Sequence, residues 1–361
     1  MIPPMPDAAP SPRQIADALG ARVIGQPVAV REMAVAMAKH LGGHGAGNIL
    51  LIGSSGTGKT TLMRAVEDFL AAEPERAAAS TQVRIHANVL GEEAERGRPG
   101  EAVLGRLLAR AREQLGSRAS PEDLLGRVRR GIVFIDEVDK IRSHVGDRPN
   151  VAGIRAQEAL LTLIENESVP FDLPDWAGGG AVRVDSSGLL FVCAGAFEGL
   201  YDAVYDRVTV GRDRGALQSV TVVDDGEVKE QLQFNLREWL RGEDLFDYGM
   251  SPQFLSRFEA VVLLEDLGVD ELVGIFLDAP ESAFRRSRSW FEARGVRLTL
   301  SPAAVRRIAR EATLRRRLGA RALNEVFRRV IRDYEFDPDA SLAPGTEALL
   351  IDVAEVEKAL G

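Results

Sequence analysis

The chain has 361 residues, 45% of them hydrophobic, a formal net charge of -9 and a single cysteine, Cys193. That length suffices for two domains and a substantial core, and no run reaches the roughly 18 apolar residues of a membrane span. One cysteine excludes an internal disulfide and any multi-cysteine zinc site, while the acidic balance argues against a general polyanion binder, which draws on Lys and Arg.

Residues 1–12 are proline-rich and lack the basic and apolar regions of a signal peptide, so they read as a short disordered leader. Cytoplasmic location is expected. Ser11-Pro12 is a helix start, a cap residue followed by proline at the first helical position, with Ile15, Ala18 and Leu19 at helical spacing. A second helical run covers Val28 to Leu41 and stops at Gly42-Gly43. Asn48 to Ile52 is an apolar strand, and a helix over Thr60 to Ala72 follows. Thr81 to His86 reads as a strand, and Glu101 to Leu115 as a helix with Val103, Leu104, Leu107 and Leu108 on one side. Gly131 to Ile135 and Leu189 to Ala194 are apolar strands, separated by a helix over Arg155 to Ile164. Ser219 to Phe234 fits either a hairpin turning at Asp224-Asp225-Gly226 or a polar loop. The basic runs Arg315-Arg316-Arg317 and Arg328-Arg329 read as solvated helix faces.

Apolar strands alternating with helices indicate a parallel sheet covered on both faces. From about Leu263 the pattern becomes helical. A long stretch over Asp270 to Phe291 is broken or kinked near Pro280, then come a strand at Val296 to Leu300, a helix opened by Ser301-Pro302, and another over Ala320 to Tyr334. The expected class is α/β: a leader over 1–12, a doubly wound parallel-sheet domain over 13–264, and a smaller, mainly helical C-terminal domain over 265–361.

Directly after the first strand the chain reads Gly53-Ser54-Ser55-Gly56-Thr57-Gly58-Lys59-Thr60, followed by Thr61. This is a complete phosphate-binding P-loop pattern in its strand-then-helix context. Its glycines let backbone N–H groups curl around phosphates, and the helix beginning near Lys59 adds its positive dipole end. Lys59 suits the β- and γ-phosphates of ATP, and the Thr60 hydroxyl suits Mg²⁺. The strand Ile132-Val133-Phe134-Ile135 delivers Asp136 and Glu137 at its C-terminal end, where open α/β sheets bind ligands. Asp136 suits Mg²⁺, usually through water, and Glu137 suits activation of the attacking water. Only five basic residues are Lys, and two of them, Lys59 and Lys140, lie in these motifs.

These motifs, with Val23-Ile24-Gly25-Gln26, Gly131 to Ile141, Ala156 to Glu165, Ala194 to Leu200, Ser251 to Phe258 and Leu318 to Leu323 in the same order, resemble the ClpX family of AAA+ unfoldases. The likeness runs from about Ser11 to Asp337. It implies an AAA+ P-loop NTPase with a helical lid, hydrolysing ATP with Mg²⁺ in a homo-oligomeric ring, typically a hexamer. It also implies that Val23 and Ile24 pack on the adenine, and that Arg257 is the arginine finger serving the next subunit's γ-phosphate. Arg321, by the same resemblance, is the lid arginine that senses nucleotide in its own subunit. A trans arginine can contribute roughly 10³–10⁵ in rate, against about 0–1 kcal/mol for a plain surface ion pair.

Three departures from that family bear on function. The sequence has no counterpart of its cysteine-based zinc domain, so recognition through that domain is not expected. After Gly199 there is no Ile-Gly-Phe loop for docking on ClpP; Val210 to Gln218 carries no apolar plug. The substrate-gripping Gly-aromatic-Val-Gly loop aligns with Gly97-Arg98-Pro99-Gly100, and no Phe, Trp or Tyr lies between Phe69 and Phe134. Val89-Leu90 offers an apolar grip in another register, and Glu92 to Gly100 also fits a solvated charged loop. The expectation is an ATP-driven ring motor that remodels a protein partner without conventional ClpP coupling. The alternatives are a nucleotide-gated assembly switch and, less favoured on charge, a DNA-associated motor.

Overall fold

The computed structural model describes residues 10–72, 80–98, 100–146, 148–165, 168–210, 219–224, 227–232, 236–315, 318–338, 345 and 347–361. It divides into two compact units. Most of the leader, Pro99, Arg316-Arg317, residues 211–218 and Asp225-Gly226, where a turn is expected, lie outside the described residues.

The first unit comprises described residues within 39–52 and 80–263. Five strands form its sheet: β1 Asn48–Ile52, β2 Gln82–His86, β3 Ile132–Asp136, β4 Leu190–Gly195 and β5 Phe258–Leu263. Their order is β5-β1-β4-β3-β2, and every neighbouring pair is parallel. The central strands are apolar because both of their faces are covered. All six residues of β4 are buried, as are Ile49 to Ile52 of β1 and Ile132 to Ile135 of β3. The edge strand β2 alternates instead, with Val83 and Ile85 inward and Arg84 and His86 outward. The other edge, β5, leaves Val261 exposed. Because all five strands run the same way, their C-terminal ends share one edge of the sheet.

Helix Glu101–Leu115 buries Val103, Leu104, Leu107, Leu108 and Ala111, as its spacing predicts. Helix Val151–Glu165 buries Ala156, Ala159, Leu160 and Leu163. Each such Leu or Val contributes roughly 1.5–3 kcal/mol by leaving water. Two further helices, Asn88–Glu95 and Pro121–Val128, were not expected. Ser219–Asp224 and Glu227–Leu232 pair antiparallel, so the hairpin rather than the polar loop is present.

The second unit comprises described residues within 10–38, 53–72 and 264–361. It is discontinuous in sequence: the P-loop segment and the first helix belong with the C-terminal helices, which a single boundary near Glu265 does not express. Helix Pro12–Gly20 opens on a reciprocal cap, the Ser11 hydroxyl accepting from the Gln14 N–H and Gln14 Oε1 accepting from the Ser11 N–H at 2.9 Å. The long stretch around Pro280 is two helices, Val269–Asp278 and Ala283–Glu292, because proline breaks the backbone ladder and Ser282 caps the second by accepting from the Arg285 N–H at 3.1 Å. These pack with Pro302–Thr313, Arg321–Phe336 and the parallel strand pair Arg297–Leu300 and Ala348–Ile351. Phe276, Phe284 and Phe327 form the centre of this core, their ring centroids 5.1–6.3 Å apart. No described helix is long and apolar enough to cross a membrane.

Candidate functional site

In the second unit, Gly56 and Gly58 take left-handed backbone conformations, φ 78° and 106°, and Lys59 begins helix Lys59–Ala72. A helix start leaves its first backbone N–H groups without internal partners, which suits an anion. Thr57 is buried, and its hydroxyl donates to the Ser54 carbonyl at 2.8 Å, so this side chain shapes the loop from within. The Lys59 ammonium donates to the Gly53 carbonyl and, at 2.9 Å, to the Ser54 carbonyl. Thr60 is half-buried and Thr61 exposed.

Gln26 is the residue whose role sequence reasoning missed here. Only 3% exposed, it donates Nε2 to the Thr57 and Glu265 carbonyls at 3.0 and 2.8 Å and accepts the Glu265 N–H at 2.9 Å. Three backbone groups are thereby satisfied by one amide side chain, which ties the loop to Glu265, 239 positions along the chain from Gln26. Beside it, Val23 is buried and Ile24 half-buried, the latter within 4 Å of where a Cβ on Gly274 would stand.

The Leu318-Gly319-Ala320-Arg321 turn meets the P-loop backbone to backbone. The Ala320 N–H donates to the Gly56 carbonyl at 3.1 Å, and a Cβ on Gly56 would lie 2.2 Å from the Leu318 carbonyl oxygen. Gly319, with φ 48°, is equally constrained, a Cβ there lying 2.8 Å from Gly56. Arg321 Nη1 donates to the Ser55 hydroxyl at 2.7 Å. One unit therefore carries Val23, Ile24, residues 53–61 and Arg321.

The first unit carries the carboxylates. Asp136 ends β3, and its Oδ1 accepts the Glu137 N–H at 3.0 Å. Glu137 sits at φ 59°, ψ 37°; it and Phe197 are the only non-glycine residues with positive φ among the described residues. Such a conformation costs about 1–3 kcal/mol and clusters at functional sites. His86 ends β2 in register with Asp136, and its Nδ1 lies 3.8 Å from Glu137 Oε2. Asp139 is buried: Oδ1 accepts the Ala196 N–H at 3.1 Å, and Oδ2 has Lys140 Nζ at 3.5 Å. Asp139 thus joins the turn after the carboxylates to the end of β4. His86 and Asp139 escaped sequence reasoning because each acts on a neighbouring strand rather than within its own motif.

Arg257 follows helix Pro252–Leu255, and its Nε donates to the Glu165 carboxylate. Its carbonyl accepts Asn48 Nδ2 at 3.1 Å, and Asn48 Oδ1 accepts the Phe191 N–H at 3.0 Å. Gln157, 2% exposed, donates to the Ile141 and Gly249 carbonyls at 2.7 and 2.9 Å and accepts the Ser251 N–H at 2.9 Å.

Glu92 to Glu95 lie in helix Asn88–Glu95 and Gly100 is the N-cap of helix Glu101–Leu115, so the charged stretch is not one long solvated loop. Glu93 is buried, and its carboxylate accepts the Gly100 N–H at 3.2 Å and the Ala102 N–H, capping helix Glu101–Leu115 from outside. Burial pushes the Glu93 carboxyl above its ordinary range, against the two backbone donors. Gly100 has φ 89°, and a Cβ there would lie 2.4 Å from Leu163 Cδ2. Arg98 is exposed and paired with Glu101 at 3.0 Å. Leu90 is fully buried, while Val89 is half-buried.

The family model for the AAA domain (Cdc48 subfamily) matches residues 44–261, well over half of the chain. The chain is similar to the ATP-dependent Clp protease ATP-binding subunit ClpX 3 of Methylococcus capsulatus, with 30% identity over 355 aligned residues, 91% of this chain and 76% of that protein. The ATP-dependent Clp protease ATP-binding subunits ClpX of Bacteroides fragilis and Bacteroides thetaiotaomicron are each 29% identical over 351 residues, covering 91% of this chain and 77% of theirs. With the parallel sheet, the P-loop and the acidic end of β3 in place, the chain belongs to the AAA+ family as a ClpX-like ATPase.

Proposed function

We propose that the protein is an ATP-driven ring ATPase that remodels or unfolds a protein partner without conventional ClpP coupling. The observation that carries the ATPase roles is the P-loop clasped by Gln26 and by the Gly319-Ala320 turn, with Lys59 and Arg321 beside it. Val23 and Ile24 pack on the adenine. Lys59 exchanges the Gly53 and Ser54 carbonyls for the β- and γ-phosphates, and backbone N–H groups of the glycine-rich loop hold the remaining oxygens.

The Thr60 hydroxyl and the Asp136 carboxylate are hard oxygen donors that fit Mg²⁺. When bound, Mg²⁺ offsets charge on the β- and γ-oxygens. Glu137 accepts the proton of the attacking water, and Asp139 ties the turn after it to the end of β4. Arg321 contacts the nucleotide of its own subunit and Arg257 that of the next, which requires a homo-oligomer, here a hexameric ring in the cytoplasm. The acidic balance disfavours nucleic acid as its partner.

Independence from ClpP rests on the missing Ile-Gly-Phe motif and on Arg98 in place of an aromatic grip. One structural feature favours the alternative, a nucleotide-gated assembly switch: the Gly100 N–H is held by Glu93, and Arg98 is paired with Glu101. The test is ATP-dependent unfolding of a tagged protein, with and without ClpP. Unfolding without rapid degradation is expected, and Arg98→Ala should lower client-stimulated turnover. Rapid degradation would overturn independence from ClpP, and ATP turnover with no unfolding would favour the switch.

A further inference from the structure

Helix Val151–Glu165 ends on Glu165, where a carboxylate faces the negative end of the helix dipole. The guanidinium of Arg257 offsets that misplacement by donating Nε to Glu165 Oε1. The backbone around Arg257 is pinned. Asn48 holds the Arg257 carbonyl at 3.1 Å, and Gln157, on the same helix as Glu165, holds Gly249 and Ser251. Only side-chain torsions therefore separate the paired from the released arginine. The side chains of Arg257 and Glu165 are 47% and 38% exposed, so a competing anion can reach the pair.

We propose that Glu165 is a cis anchor for Arg257, holding it within its own subunit until the γ-phosphate of a neighbouring copy takes it. Glu165 touches no substrate; it is a positioning residue acting through Arg257. The proposal rests on the trans role given to Arg257 above. An exposed pair of this kind is weak, worth roughly a twofold to fivefold bias. That bias is enough to disfavour stray ring contacts at low subunit concentration and small enough for ATP in a neighbouring site to overcome.

The experiment is ATP-dependent self-association followed by light scattering in wild type, Glu165→Gln, Arg257→Ala and the double variant. Glu165→Gln should lower the half-association concentration about twofold to fivefold, Glu165→Asp should restore it toward wild type, and Glu165→Gln should have no effect on top of Arg257→Ala. Thermal melting of each variant identifies misfolding, and the Glu165→Asp result then decides for a variant that melts early. No shift in Glu165→Gln, or an equal shift with and without Arg257, overturns the anchor. Phosphate release distinguishes the two failures: an Arg257→Ala protein that hydrolyses at the wild-type rate overturns the trans arginine itself, whereas lost hydrolysis with no Glu165 effect overturns only the anchor.

Discussion

Arg321 donates to the Ser55 hydroxyl across 2.7 Å, one residue after Ala320 has donated its N–H to the Gly56 carbonyl. The turn that carries the arginine is therefore bonded directly to the phosphate loop, and a change in either is felt by the other. The contact depends on glycine. Gly56→Ala adds a Cβ 2.2 Å from the Leu318 carbonyl oxygen at a residue with φ 78°. The expected cost is about 1–3 kcal/mol of stability together with loss of nucleotide affinity. Thermal unfolding beside a nucleotide titration measures both, and an unshifted midpoint with normal binding would contradict the close approach.

Lys59 and Glu137 are assigned separate tasks, so their variants should separate too. Lys59→Ala removes the ammonium that now rests on the Gly53 and Ser54 carbonyls and should abolish nucleotide binding. Glu137→Gln keeps size and backbone but removes the proton acceptor, so binding should persist while hydrolysis falls roughly 10²–10⁴-fold. Binding titrations run alongside phosphate-release assays check the pair. Turnover at the wild-type rate in Glu137→Gln would remove Glu137 from the catalytic step.

His40 gives the first unit a pH dependence. It is buried against the Arg130 carbonyl, with Nε2 to oxygen 3.0 Å, and burial lowers its pKa from 6.5 to about 4, the nearby Arg130 charge acting in the same direction. The folded state therefore keeps His40 neutral while the unfolded chain protonates first, so stability is present above about pH 6.5 and is lost as pH falls toward about 4. Between about pH 7 and about pH 5 the loss should be about 2 kcal/mol. Denaturant unfolding of wild type and His40→Gln at the two pH values measures it. A wild-type slope no steeper than that of the variant would rule out His40 as the source.

What was legible in the sequence follows from how local each signal is. The apolar runs of β1, β3 and β4 announce strands covered on both faces, and Gly53 to Thr60 carries its meaning in consecutive residues. Strand β5 was missed because it lies at an edge, where Glu259 interrupts the apolar pattern and Val261 faces solvent. Helix Asn88–Glu95 was missed because it is short, carries Gly91 and three glutamates, and lacks a side-chain cap. Gln26, Asp139 and Gln157 look like ordinary polar residues because their partners are backbone groups far along the chain. The charged run over Glu92 to Gly100 hid a buried carboxylate, since the Gly100 and Ala102 N–H groups that satisfy Glu93 become its neighbours only after the chain turns.

The central claim is a ring ATPase whose site is completed by Arg257 from a neighbouring copy, and mixing two inactive proteins tests it most directly. Arg257→Ala should bind ATP nearly normally and hydrolyse it poorly, and Glu137→Gln should do the same for a different reason. Combined, they form junctions where an intact Glu137 meets an intact Arg257, and phosphate release should rise well above the sum of the separate proteins. A mixture that stays at that sum, or an obligate monomer that retains full turnover, would contradict the account.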